Sequence, residues 1–130
     1  MKIIDGANTV MGRLASFVAK EALKGEEIKV VNCEQVIITG NKKFIEKGLI
    51  QKRSRVGTRQ IGPKVSKASE KIVKRAIRGM LPDHRQGRGR DAFKRIMCYN
   101  GIPSEFKNSK MISLNKEEKK KYIQVKEISK

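Results

Sequence analysis

Residues 1–31 read MKIIDGANTVMGRLASFVAKEALKGEEIKVV, and this stretch decides the fold class. The apolar pair Ile3 and Ile4 comes just before a turn with Asp, Gly and Asn, which predicts a short strand and then a turn. Apolar residues recur at helical spacing over 11–23, and residues 28–31 are mostly β-branched. A helix of this length brings the second strand back parallel to the first. The sequence therefore opens with a predicted strand-helix-strand unit. Asn8 or Thr9 is expected to cap the N-terminus of its helix.

The middle of the chain predicts two further helices with an extension between them. Apolar residues from 44 to 49 predict a helix that continues into a basic stretch. Residues 56–65 show no apolar period and contain Gly and Pro, which indicates a loop or an extension. A helix is expected to resume at Ser66 or Ser69, either of which could cap it, and to end before Pro82.

This second helix is predicted to be amphipathic. Its expected buried stripe consists of apolar residues at helical spacing, namely Ile72, Val73, Ala76, Ile77 and Met80. The opposite side is expected to be positively charged, with Lys71, Lys74, Arg75 and Arg78. One face should pack against the core, and the other should meet a polyanion.

The remaining elements are shorter. Residues 36–39 predict a third strand, whose pairing stays open because the gap before it is too short for a parallel crossover. Residues 83–90 predict a basic loop, 91–95 a short helix and 96–99 a last strand. A short helix is expected over residues 113–122.

The length of the chain predicts one domain. With 130 residues, of which 38% are hydrophobic, the chain can form one small core, and a second would be short of apolar surface. We expect a single domain with a basic extension around 51–67 and a C-terminal tail, 104–130. No apolar run reaches the roughly 18 residues of a membrane-spanning helix, and the start lacks the apolar stretch of a signal peptide. A cytoplasmic protein is expected.

The positive charge is concentrated in the middle of the chain. The formal net charge is +18, from 31 basic and 13 acidic side chains. Residues 51–95 contain 15 basic and 3 acidic side chains and so carry +12 of it. A solvated helix face usually mixes the two signs, so this excess indicates contact with nucleic acid. The basic side chains that we predict on this ground to bind RNA are Lys52, Arg53, Arg55, Arg59, Lys64, Lys74, Arg75, Arg85, Arg88 and Arg90.

The loop from Arg85 to Arg90 fits RNA on chemical grounds. Arginine pairs with phosphate oxygens through two parallel hydrogen bonds, and Gly87 and Gly89 are expected to let the backbone lie close to phosphates. Aromatic residues make up only 5% of the chain and Trp is absent, which disfavours extended base-stacking platforms. Recognition of folded RNA by shape and backbone is the better match.

Other chemistries fit the sequence poorly. A dinucleotide-binding turn needs closely spaced glycines, and Gly6 and Gly12 are too far apart. Residues 57–62 resemble half of a phosphate-binding loop, but Pro63 stands where the lysine should be. His84 is the only histidine, and the carboxylates are dispersed, which disfavours acid-base and metal-dependent chemistry.

The two cysteines are expected to be reduced. Cys33 and Cys98 lie far apart in sequence, each among apolar neighbours. A single disulfide stays open as an alternative, but a cytosolic location favours two buried thiols. Structural zinc would need about four ligands, more than two Cys and one His supply. We therefore expect neither a metal nor a cofactor.

Several motifs resemble one protein family in order along the chain. In the second half they are Ile77-Arg78-Gly79-Met80-Leu81-Pro82, Gly87-Arg88, Ala92-Phe93-Lys94-Arg95 and Tyr99-Asn100-Gly101. In the first half they are Ile4-Asp5-Gly6, Gly12-Arg13-Leu14-Ala15-Ser16, Val30-Val31-Asn32 and Thr39-Gly40-Asn41-Lys42. Over about residues 3 to 103 the chain resembles the L-thirteen family of large-subunit ribosomal proteins. Its tail and short length resemble an archaeal-type member.

The resemblance implies a fold and a role. It implies an α/β fold of three layers, α/β/α, around a small, mostly parallel four-stranded sheet. It also implies a structural, non-enzymatic protein that binds large-subunit ribosomal RNA and neighbouring ribosomal proteins during assembly, without a membrane or a small-molecule substrate. Gly79, Met80 and Leu81 look structural. The RNA contacts that we carry over from the family are Arg78, Arg88, Lys94 and Arg95. An RNA-processing enzyme or its accessory subunit is the alternative.

Overall fold

The structure, a computed structural model, describes residues 1–55, 64–114 and 120–129. Its strands are β1 (Lys2–Asp5), β2 (Ile28–Val31), β3 (Ile37–Thr39), β4 (Ile96–Cys98), β5 (Met111–Ser113) and β6 (Tyr122–Gln124). Its helices are α1 (Met11–Leu23), α2 (Lys42–Ser54), α3 (Ser69–Met80), α4 (Gly87–Lys94) and α5 (Val125–Ile128). The predicted α1 and the predicted run of α2 into the basic stretch are confirmed.

A four-stranded parallel sheet in the order β4-β2-β1-β5 forms the centre. β1 pairs with β2 in the register Ile4↔Val30, and α1 joins the two strands. The predicted strand-helix-strand unit is therefore confirmed. β5, near the end of the chain, pairs with β1, near its beginning, in the register Ile4↔Ile112.

The two faces of the sheet bury different apolar residues. One face carries Ile4 and Val30 and is covered by α1, α3 and α4, with Leu14, Val73 and Ala92 fully buried in this core. The opposite face carries Ile3 and Val31 and is covered by Phe106 from a short 3₁₀ helix. Because residues alternate between the faces of a strand, adjacent isoleucines serve different cores. The α/β fold class with layers on both sides of the sheet is confirmed.

The third strand pairs with a strand that the sequence did not predict. β3 lies antiparallel to β6 in the register Ile38↔Ile123, outside the main sheet. Val125 N–H donates to the carbonyl of Val36 at 2.9 Å, which extends this contact into α5. The helix expected over residues 113–122 is wrong at its described ends, because residue 113 belongs to β5 and residue 122 to β6.

The expected helix caps are wrong as well. The N-cap of α1 is Val10, which has no capping side chain, and Asn8 instead adopts a left-handed conformation in the preceding turn. The N-cap of α3 is Ala68, whose N–H donates to Ser66 Oγ at 3.2 Å. Packing of α1 and α3 against the core, rather than side-chain capping, therefore stabilises these helices.

The buried stripe of α3 ends earlier than predicted. Val73 and Ile77 are fully buried, and Ile72 and Ala76 pack at the edge of the core. Met80 is 46% exposed, so its predicted burial is wrong. It occupies the last position of the helix, and the next residue, Leu81, has an extended backbone. Of the motif residues expected to be structural here, Leu81 packs against the core.

Candidate nucleic-acid interface

Helix α3 has one apolar and one cationic face. Its buried residues contact α1, and its basic residues recur at steps of three or four on the other side. Residues at this spacing share a helix face. The basic residues are Lys71, Lys74, Arg75 and Arg78. The core therefore fixes the direction in which these four cations point.

Beside this cationic face lies a cleft of about 680 Å³. Its apolar lining comes from four helices and from Val65, and its basic lining comes from α2, from Arg55 just after α2, from Lys64 before α3, and from α3. The apolar residues are Met11, Leu49, Val65, Ile72, Ala76 and Phe93. The basic residues are Lys52, Arg55, Lys64, Lys71, Lys74, Arg75 and Arg78. The structure thus brings together six of the predicted RNA-binding residues and adds Lys71, which the prediction omitted.

Specific contacts hold the walls of this cleft together. Arg75 Nη1 donates to the carbonyl of Lys64 at 3.1 Å, which fixes the chain before α3 against that helix. Lys74 Nζ lies 5.0 Å from the centre of the Phe93 ring, a cation-π contact between α3 and α4. The His84 ring meets the same phenyl ring edge-on, with 6.2 Å between centres. Phe93 therefore links the cleft to His84, which precedes the basic residues Arg85, Arg88 and Arg90.

The basic segment around Arg85 is not the loop that the sequence predicted. Helix α4 begins at Gly87, so Arg88 and Arg90 are exposed on its first turns. Only Arg85 precedes it, in a turn where its N–H donates to Asp83 Oδ1 at 3.0 Å. These three arginines, with the exposed Lys94, form a second cationic group on α4.

Gly89 serves packing rather than access to phosphate. The residue is buried, and a Cβ built on it would lie 2.4 Å from the carbonyl oxygen of Pro82 and 2.5 Å from that of Asp83. The prediction that Gly89 lets the backbone approach phosphate is therefore wrong. Gly87, by contrast, is exposed and has a φ of +57°, a conformation that glycine adopts without strain.

The other predicted binding residues have different surroundings. Arg53 donates through Nη2 to the carbonyl of Ile128 at 3.2 Å, so it ties α2 to α5. Arg95 is half-buried at the end of α4, where its carbonyl accepts from Ile28 N–H at 3.0 Å. Arg59 lies outside the described residues. The side chain of Arg53 is thus engaged in holding the fold, whereas for Arg95 it is the backbone carbonyl that takes part.

Two of the family-like motifs lie at the carboxyl ends of the two central strands, β1 and β2. Asp5 Oδ1 accepts from Ala7 N–H at 2.9 Å and from Asn32 Nδ2 at 2.8 Å, which joins the ends of β1 and β2. A Cβ on Gly6 would lie 2.8 Å from Val36 Cγ2. These motif residues have structural roles away from the cationic face.

Several carboxylates are paired away from the cleft. Glu21 bonds to Lys2 and, at 2.6 Å, to Lys24. These lysines lower the pKa of Glu21 to about 2. The hydrogen bond from Lys42 similarly lowers the pKa of Glu127. None of the described residues that line the cleft is acidic.

The two cysteines are free thiols. Cys33 is buried and Cys98 half-buried, and contact with Cys98 together with burial raises the pKa of the Cys33 thiol. Within residues 1–55, 64–114 and 120–129 no group of three or more His, Cys, Asp or Glu could hold a metal ion. None of the described helices is long and apolar enough to cross a membrane.

Fold and surface together define a basic α/β protein whose cations lie on the outer sides of its helices, a class suited to binding a polyanion. Residues 1–105 match the family described as Ribosomal protein L13, and the chain belongs to that family. The family predicted from the motifs is therefore confirmed.

Three similar proteins carry the name Large ribosomal subunit protein uL13. That of Methanocaldococcus jannaschii is 43% identical over 133 residues, which cover 100% of this chain and 96% of the relative. That of Methanococcoides burtonii is 39% identical over 136 residues, which cover 99% of this chain and 95% of the relative. That of Methanococcus maripaludis is 47% identical over 106 residues, which cover 79% of this chain and 77% of the relative. The likeness to an archaeal-type member is confirmed by these relatives.

Proposed function

We infer that the chain is a structural constituent of the large ribosomal subunit, and we propose that it binds ribosomal RNA through two cationic groups. The first is the rim of the cleft between α2 and α3, and the second is formed by Arg85, Arg88, Arg90 and Lys94. We further propose that it works in the cytoplasm, within the ribosome, beside other large-subunit proteins. Family membership supports this role.

The convergence of cations from separate elements carries the proposal. Seven basic residues from α2, α3 and the chain before α3 surround one cleft, although they are spread over positions 52 to 78. Most of them are exposed, while the apolar side of α3 is held in the core. Phosphate groups of folded RNA are the anions that such a surface suits, because they recur along a backbone and bind Lys and Arg.

The test is RNA binding by matched charge-removal variants. One variant changes three arginines of the second group to alanine: Arg85, Arg88 and Arg90. The control removes the same charge from exposed lysines on other elements: Lys20, Lys107 and Lys110. Binding to large-subunit ribosomal RNA is measured between 50 and 200 mM salt.

The expected results follow from counterion release. With about 6 to 10 phosphate contacts, the unaltered protein should lose roughly 10³- to 10⁵-fold in affinity over this salt range. The arginine variant should flatten the slope of log K against log salt by roughly two to three, while the lysine control should change it little. Equal losses from both variants would show that net charge alone drives binding. A flat salt response of the unaltered protein would contradict the electrostatic proposal altogether.

We also propose that the protein has no enzymatic activity. Its family is one of structural ribosomal proteins, and the carboxylates Glu21 and Glu127 are engaged with lysines away from the cleft. The alternative, an RNA-processing enzyme or accessory subunit, predicts release of shortened RNA. Incubating the protein with large-subunit RNA and Mg²⁺ should leave the RNA intact, and co-sedimentation with large subunits in a gradient should recover the protein there. Specific cleavage would favour the alternative.

A further inference from the structure

We propose that the cleft between α2 and α3 receives the base of one unpaired RNA nucleotide, with the flanking phosphates held on its basic rim. This inference rests on the proposed RNA binding and adds a particular site and ligand to it. A surface that only followed the RNA backbone would need the cations but no apolar cavity beneath them.

The burial of the lining residues separates a floor from a rim. Ile72, Ala76 and Met11 are partly buried and pack against the central core, so they form the floor. The exposed cations stand at the mouth, and they are Lys52, Arg55, Lys64, Lys71 and Arg75. A ligand that fits an apolar floor beneath a cationic rim has an apolar body and carries negative charge at its outer end.

The size of the cleft fits such a ligand. Its volume of about 680 Å³ lies within the roughly 300–1,000 Å³ of small-molecule sites. A nucleotide base is flat and largely apolar on its two faces, and its sugar connects it to phosphate on either side. The rim cations come from α2, α3 and the chain before α3, so they lie on several sides of the mouth of the cleft.

RNA structure determines which nucleotides qualify. A base inside a duplex is stacked between its neighbours and paired with its partner, so its two faces are covered. Only a bulged or looped nucleotide is free to enter the cleft. The absence of acidic residues from the described lining also favours RNA, whose charge is negative throughout, over a protein segment of mixed charge.

A single substitution at Gly79 is designed to obstruct the cleft. Gly79 lines the cleft, and a Cβ built on it meets nothing within 4 Å, so the position has room for a side chain and Gly79→Leu places apolar bulk at the cleft wall. Gly48→Leu is the matched control, because Gly48 is also helical, also has open space around its Cβ and does not line the cleft. Neither variant changes the charge.

The probes are two RNA hairpins that differ by one nucleotide. The first has a single bulged adenosine in its stem, and the second has the same stem fully paired. The lining includes the aromatic ring of Phe93, and stacking of a base on an aromatic ring changes affinity about five-fold or more. The unaltered protein and Gly48→Leu should bind the bulged hairpin at least about five-fold more tightly than the paired one. Gly79→Leu should bind both hairpins with the affinity that the unaltered protein has for the paired one, while keeping its melting temperature.

Two further measurements identify the ligand and its location. With the bulged hairpin, nuclear Overhauser contacts should appear between protons of the extra adenine and the methyl groups of Ile72 and Ala76. Adenosine monophosphate and an acidic peptide containing leucine should compete only weakly, since neither spans the rim as RNA does. Strong competition by either compound, relieved by Gly79→Leu, would assign the cleft to that ligand and overturn the inference.

Failure of this inference is distinct from failure of the proposed function. Equal binding of both hairpins by the unaltered protein, with steep salt dependence, would refute the nucleotide site and leave RNA binding intact. Binding of neither hairpin nor large-subunit RNA would refute both.

Discussion

Substitution of Gly89 by alanine should destabilise the protein, even though alanine favours helices. The added Cβ would lie 2.4 Å from the carbonyl oxygen of Pro82 and 2.5 Å from that of Asp83. Both distances are about 1 Å inside ordinary van der Waals contact. The colliding atoms belong to the backbone, so no side chain can rotate to make room. Either α4 or the turn before it must move.

The expected cost follows from two opposing effects. Overpacking at a tightly packed site costs about 1–3 kcal/mol, and alanine gains about 0.5–1 kcal/mol over glycine inside a helix. The collision is with two carbonyl groups at once, so the cost should lie toward the upper part of its range. We expect Gly89→Ala to lower the free energy of unfolding by about 1–2 kcal/mol, measured by urea denaturation.

A second glycine provides the matched control. Gly79 is also helical, but a Cβ there meets nothing within 4 Å. Gly79→Ala should therefore raise the free energy of unfolding by about 0.5–1 kcal/mol. If Gly89→Ala were as stable as Gly79→Ala, the close approach of α4 to the preceding turn would be wrong.

The remaining predictions concern the core, the pH dependence and the thiols. Ile77→Ala should cost about 2–5 kcal/mol in urea denaturation, whereas Met80→Ala should cost under about 1 kcal/mol, because only Ile77 is fully buried; equal losses would contradict the observed end of the buried stripe. The pKa of Glu21 is about 2 in the folded state against an ordinary 4.5, so its stabilising contribution is present above about pH 4.5 and lost as the pH falls toward 2. The urea midpoint of the unaltered protein should therefore fall more steeply over this range than that of Glu21→Gln, and parallel curves would refute the assignment. Cys98 should react with an aromatic disulfide reagent in the native protein, and Cys33 only on unfolding, because burial and its raised pKa keep it a thiol; mass spectrometry of the labelled protein distinguishes the two.

The sequence predicts those parts of the fold that local periodicity determines. The strand-helix-strand unit follows from the apolar pair Ile3 and Ile4, the apolar residues at helical spacing over 11–23 and the β-branched residues of 28–31. Helix α3 follows from its two contrasting faces. The pairing of β3 does not follow in this way, because its partner β6 lies more than 80 positions further along the chain. The helix caps were wrong because packing made side-chain caps unnecessary.

The candidate site was predictable in composition but not in shape. The excess of basic residues over 51–95 identified most of the cations around the cleft. The apolar lining of the cleft could not be predicted, since Met11, Leu49, Ile72 and Phe93 belong to four different helices. Gly89 was predicted to lie in a basic loop and to let the backbone approach phosphates, and only the position of the Pro82 carbonyl reveals why glycine is needed there.

The attachment of α2 has a consequence for the order in which this molecule is completed. α2 buries none of its own residues, and two of its contacts to the body are Lys42 with Glu127 and Arg53 with the carbonyl of Ile128. A chain is synthesised from its N-terminus, and contacts between distant residues form slowly. The strand-helix-strand unit can therefore fold on a nascent chain long before α2 is fixed. These two contacts of the helix that carries Lys52 can form only after Glu127 and Ile128 have been synthesised, so this wall of the cleft gains them late.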